Sequence, residues 1–102
     1  MKKIEINECY QALLRAVGAN KKQRIPKSAE DFGDDETIGL CVKRSGRDIF
    51  EGDPNDSFGI FLGKDSDNNY IIGINELGSK FKFVSGESFE SLELLKQHWI
   101  LD

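Results

Sequence analysis

Residues 57–84, SFGIFLGKDSDNNYIIGINELGSKFKFV, decide the fold. Phe58, Ile60 and Leu62 alternate with Ser57, Gly59, Phe61 and Gly63. Tyr70, Ile72 and Ile74 alternate with Ile71, Gly73 and Asn75, and Phe81 and Phe83 alternate with Lys80, Lys82 and Val84. A period of two in β-branched and aromatic residues marks strands. The stretch therefore predicts three consecutive antiparallel strands. Residues 65–69, DSDNN, suit the first loop, because short Asx side chains bond nearby backbone and tolerate positive φ. Gly78 marks the second turn. Placing the large residues of the first two strands on one face predicts Leu62 opposite Ile72, Ile60 opposite Ile74, and Phe61 over Gly73. The other face, with Gly59, Phe61, Gly63, Ile71 and Gly73, is lean. It suits a helix packed on bare backbone, or a ligand groove lined by Gly59, Phe61 and Gly73.

Working outward, Ile4 and Ile6 alternate with charged residues and predict a short edge strand at the start of the chain. Asn7 is the expected cap of a helix over 8–17, with Cys9, Tyr10, Leu13, Leu14 and Val17 as its core stripe and Gly18 as its stop. Residues 19–36 carry the least pattern and form the longest expected connection, a kind of segment enriched in function. A strand over 37–43 follows, then a turn at Ser45-Gly46 and a short strand at Ile49 and Phe50. Ser91 is expected to cap a last helix over 92–99, with Ser88 the alternative start and Phe89, Leu92, Leu95 and Trp99 on one stripe. The sum is one α+β domain over residues 1–102. It has an antiparallel sheet of four to six strands, with an N-terminal and a C-terminal helix packed on one of its faces.

A chain of 102 residues can bury a single core without staples. Its 38% hydrophobic and 31% charged residues fit a soluble domain. Cys9 and Cys41 show no metal-ligand spacing. MKKIEINE lacks the apolar core of a signal peptide, and no apolar run approaches the about 20 residues of a membrane span. A cytoplasmic location away from the membrane is expected. The formal net charge is −4, yet residues 1–29 hold seven Lys/Arg against two Asp/Glu. The acidic total disfavours a dedicated nucleic-acid binder, although Lys21, Lys22, Arg24 and Lys27 form a local basic cluster.

Asp65, Asp67, Asn69, Ile72 and Glu76 match positions of an EF-hand loop. Tyr70 stands where the sharp turn needs glycine, and the flanks alternate as strands do, so at most weak calcium binding at Asp65, Asp67 and Asn69 is expected. No cofactor and no catalytic set is expected. A thiol–imidazole pair between Cys9 and His98 would need both terminal helices to meet. Phe81 and Phe83, between lysines, resemble a base-stacking platform but fit a core better.

What remains is a non-catalytic binding or regulatory protein acting on a protein partner or a second copy of itself. The acidic block Asp31, Asp34, Asp35 and Glu36 would steer it to a basic surface. A small-molecule site on the glycine-lined face is the alternative, with nucleic acid a weaker one. The strand–polar loop–strand run followed by Ser88-Phe89-Glu90-Ser91-Leu92 resembles the SUKH immunity superfamily over about a third of the chain. The N-terminal half departs from that pattern, and the likeness is not counted as membership.

Overall fold

A computed structural model describes residues 1–19, 22–45, 57–76, 79 and 82–102. Along the chain come β1 (Lys2–Ile4), α1 (Ile6–Ala19), a 3-10 turn (Asp35–Thr37), β2 (Cys41–Arg44), β3 (Phe58–Lys64), β4 (Tyr70–Asn75), β5 (Phe83–Phe89), α2 (Leu92–His98) and β6 (Trp99–Leu101). Among the described residues the strands form one six-stranded antiparallel sheet in the order β1-β5-β4-β3-β2-β6. The α+β class and the edge position of the first strand agree with the sequence reading. Phe81, Ile49 and Phe50, and the turns at Gly46 and Gly78, lie outside the described residues.

The register of the central hairpin differs from the expected one. Residues 65–69 do form the loop, but Ile60 pairs with Gly73 and Phe61 with Ile72. Between Phe61 and Lys64 the ladder slips, because Leu62 and Gly63 together oppose the single residue Ile71. Gly63, at φ 82, supplies the left-handed conformation such a bulge needs. One extra residue turns every side chain before it to the other face. The large residues therefore divide. Phe61, Ile72 and Ile74 join Phe32, Val42, Phe89, Leu95 and Trp99 on one side of the sheet, whereas Ile60, Leu62 and Ile71 join Cys9, Ala12 and Phe83 on the other.

The two helices consequently pack on opposite faces, not on one. α2 brings Leu95 to the first cluster and α1 brings Cys9 and Ala12 to the second, with Ala16 near the end of α1 reaching the first. α1 starts two residues earlier than Asn7 would place it. The Glu5 amide donates to the Glu8 carboxylate at 2.9 Å, and the Glu8 and Cys9 amides donate to the Glu5 carbonyl, so Glu5 and Glu8 supply half of a capping box. Its buried side is Cys9, Ala12 and Ala16, while Leu14 and Val17 are 73% and 72% exposed. Small residues win that side because the helix lies close to the sheet. A Cβ on Gly86 would meet the Cys9 sulfur and, at 2.7 Å, Cγ1 of Ile4.

α2 begins as expected, with Ser91 Oγ accepting from the Leu94 amide at 3.1 Å. It ends at His98, because Trp99 turns into β6 opposite Arg44. The strand expected over 37–43 starts only at Cys41. Thr37 closes the 3-10 turn, and Gly39, at φ 94, breaks the alternation.

One polar cluster lies inside the first layer. Glu87, 1% exposed, receives Nη1 and Nη2 of Arg44 at 2.8 and 2.6 Å, Nε1 of Trp99 at 3.0 Å and Nζ of Lys3 at 3.3 Å. The Arg44 guanidinium also sits 4.1 Å above the Trp99 ring. Burial pushes the Glu87 carboxyl up. The bonds from Arg44 and Trp99 and the charges of Arg44 and Lys3 outweigh burial and hold it below the usual carboxylate range. The cluster links β1, β5, β2 and β6 across the sheet.

Candidate functional site

The segment 22–40 leaves α1 and returns to the sheet with only a 3-10 turn of its own. It is nevertheless held at many points. Arg24 forks onto Asp31 at 2.7 and 2.8 Å and reaches Asp34 through Nε at 3.0 Å. The Lys27 amide donates to the same Asp31 carboxylate at 2.8 Å. The Arg24 amide donates to the Glu36 carbonyl, and the Gln23 side-chain amide to the Ile38 carbonyl at 2.6 Å. Asp34 accepts from the Glu36 amide at 3.0 Å and so caps the 3-10 turn. Phe32 plugs the loop into the first core layer, its ring edge-on to Phe61 at 5.6 Å. The Leu101 amide donates to the Ala29 carbonyl at 2.7 Å.

The charge blocks noted in the sequence therefore have distinct roles. Asp31 and the exposed Asp34 both bond Arg24, whereas Asp35 and Glu36 point to solvent. The bond from Arg24, helped by the Lys27 amide, lowers the Asp31 carboxyl to about 2, and Asp31 in turn raises the Arg24 guanidinium above its ordinary value. A carboxylate with a depressed folded-state pKa stabilises the fold above its unfolded pKa and ceases to do so as pH falls through the folded value. The clamp should be complete above about pH 4 and lost toward pH 2. In an acid titration followed by NMR, the Lys27 amide resonance should move with a midpoint near 2 and stay still in Asp31→Asn. A midpoint near 4 in the parent chain would mean that the fork does not form in solution.

No family profile, curated protein or solved structure matches this chain. The short likeness to the SUKH superfamily thus carries no assignment, and geometry alone must weigh the remaining candidates.

The groove residues are not brought together. Gly59 and Phe61 lie on one face and Gly73 on the other, and all three are buried. The aromatic over Gly73 is Phe83, whose Cε1 would stand 2.6 Å from an added Cβ, with Leu62 Cδ1 at 2.9 Å. In the hairpin loop, Asp65 Oδ1 accepts from the amides of Asp67 and Asn69, both at 2.9 Å, while Asn68 adopts φ 64. That turn chemistry explains the Asx composition without an ion. Glu76 pairs instead with Lys82 at 3.1 Å. Among the described residues no cluster of three or more His, Cys, Asp and Glu could hold a metal.

Cys9 and His98 sit on opposite sides of the sheet. Cys9 lies on the sheet-facing side of α1, where burial and then the Glu8 charge push its thiol up to about 11, and His98 lies 5.6 Å from the Phe89 ring. Lys22 and Lys27 are exposed, Arg24 is consumed by the clamp, and Lys21 lies outside the described residues. No helix among the described residues is long and apolar enough to cross a membrane.

The sequence reading missed Ile25. It is 89% exposed, although Arg24 before it and Lys27 after it are both tied to Asp31. The only signal was an apolar residue beside proline in a polar segment.

Proposed function

We propose that this chain is a non-catalytic, cytoplasmic binding protein that acts on a protein partner through the loop 22–38. The observation that carries the reading is the Arg24 clamp. It holds a segment without regular structure in one shape, so the ordering entropy that a flexible loop would lose on association is already spent. Two unpaired thiols, Cys9 buried and Cys41 exposed, favour a reducing compartment. The solvent-facing pair Asp35 and Glu36 supplies an acidic rim that would speed encounter with a basic surface.

The first test is capture from native-host lysate with the whole chain as bait, eluted in a salt gradient. A single stoichiometric protein is the expected result. Nucleic acid alone, released at low salt, would replace the reading with a phosphate contact at Lys22 and Lys27. With the captured partner in hand, Asp35→Lys together with Glu36→Lys should lower the association rate about tenfold and flatten its salt dependence. An unchanged rate in surface plasmon resonance would remove these two residues from the site. Reversing Asp31 or Asp34 is a different experiment, because it also releases Arg24 and with it the shape of the loop.

A further inference from the structure

We propose that α1 and the hairpin loop 65–69 form a binding site for a small zwitterion of the α-amino-acid class, with Arg15 taking its carboxylate and Glu8 and Asp67 its ammonium. The site shares no residue with the loop 22–38 and stands or falls apart from the role proposed there. A cavity of about 150 Å³ lies where one side of α1 meets the hairpin loop. Glu8, Arg15, Asp65 and Asp67 line it, together with the half-buried Ile4 and the buried Ile71. Such a space holds about five waters, or a molecule of about six non-hydrogen atoms, and is too small for a nucleotide.

The charges set the ligand class. Among the described residues neither Arg15 nor Asp67 makes an ion pair or a side-chain hydrogen bond, although both line the same cavity. Glu8 and Arg15, seven residues apart, lie on one side of α1 with about 10 Å between them along the axis, which leaves a gap that a ligand can span. Glu8 gives one carboxylate oxygen to the Glu5 amide, and Asp65 is occupied by the amides of Asp67 and Asn69. These bonds, with Asn68 at φ 64, hold both walls in place before a ligand arrives. A simple anion would face three carboxylates and a simple cation would face Arg15. A zwitterion meets both signs at once, and Ile4 and Ile71 suit its Cα and a short side chain.

The test is an NMR titration of the full chain with L-alanine, which has the expected size. Saturable shifts should appear at the amides from Glu8 to Arg15 and at Ser66 and Asp67. The dissociation constant should be of millimolar order, because the charged groups are exposed and screened. Acetate and methylammonium, each with one of the two charges, should bind about fivefold more weakly, and so should L-alanine to Arg15→Gln and to Asp67→Asn. Both side chains are on the surface, so the variants should melt with the parent chain. Absence of saturable shifts with L-alanine overturns the site. Acetate or methylammonium binding as well as L-alanine, or unchanged affinity in both variants, overturns the zwitterion.

Discussion

Glu87→Gln should unfold at a melting temperature about 12 to 40 °C below that of the parent chain. Removing one partner of a buried ion pair costs about 3–5 kcal/mol, because the other charge stays behind without compensation. In a domain of this size each kcal/mol moves the transition by about 4–8 °C. Arg44, at 9% exposed, has little access to water with which to replace the two bonds it gives Glu87. Trp99 Nε1 loses a charged acceptor at the same time. Arg44→Met combined with Glu87→Leu should lose far less than either single change, since no charge is then stranded. A single variant melting within a few degrees of the parent would show that water reaches the cluster. The depressed carboxyl of Glu87 gives the sign of the pH dependence. The pair should persist through the usual carboxylate range and fail only as pH drops through the lowered value.

Gly86→Ala should cost about 1–3 kcal/mol through overpacking, although it adds a single methyl group. That methyl would land on the Cys9 sulfur and on Ile4, so α1 and β1 would both have to lift from β5. The sulfur is on a short side chain buried against the sheet and cannot swing away. Cys9→Ala empties the space the new methyl needs. Gly86→Ala with Cys9→Ala should therefore be more stable than the sum of the two single losses predicts, by about 1 kcal/mol or more in a urea-melt double-mutant cycle. Simple additivity would mean that α1 does not sit on Gly86 as described.

The elements that sequence resolved are those governed by local rules. The hairpin loop at 65–69 follows from its Asx chemistry, and the cap at Ser91 from its hydroxyl before an apolar stripe. The register failed at one residue, because a bulge at Gly63 reads in sequence as one more strand glycine. The second half of β5 was hidden for a similar reason. Ser85-Gly86-Glu87-Ser88 has turn composition, and its strand character comes from pairing with β4 and β1. Nothing local joins Arg44 to Glu87 across 43 positions. In the loop, opposite charge blocks were visible, but which acids face Arg24 depends on the Phe32 plug, which tertiary packing sets, as well as on the local Asp34 cap.

The bond from the Leu101 amide to Ala29 also bears on polymerisation. β6 is a terminal strand of the sheet, and a bare terminal strand templates the addition of another chain. Here the Trp99 amide is used by the Leu95 carbonyl and the Leu101 amide by the loop. At the opposite end, β1 is three residues long and carries Lys2 and Lys3, a length and charge that resist ribbon growth. Copies of this chain are thus kept from stacking edge to edge by a strap at one end and by charge at the other.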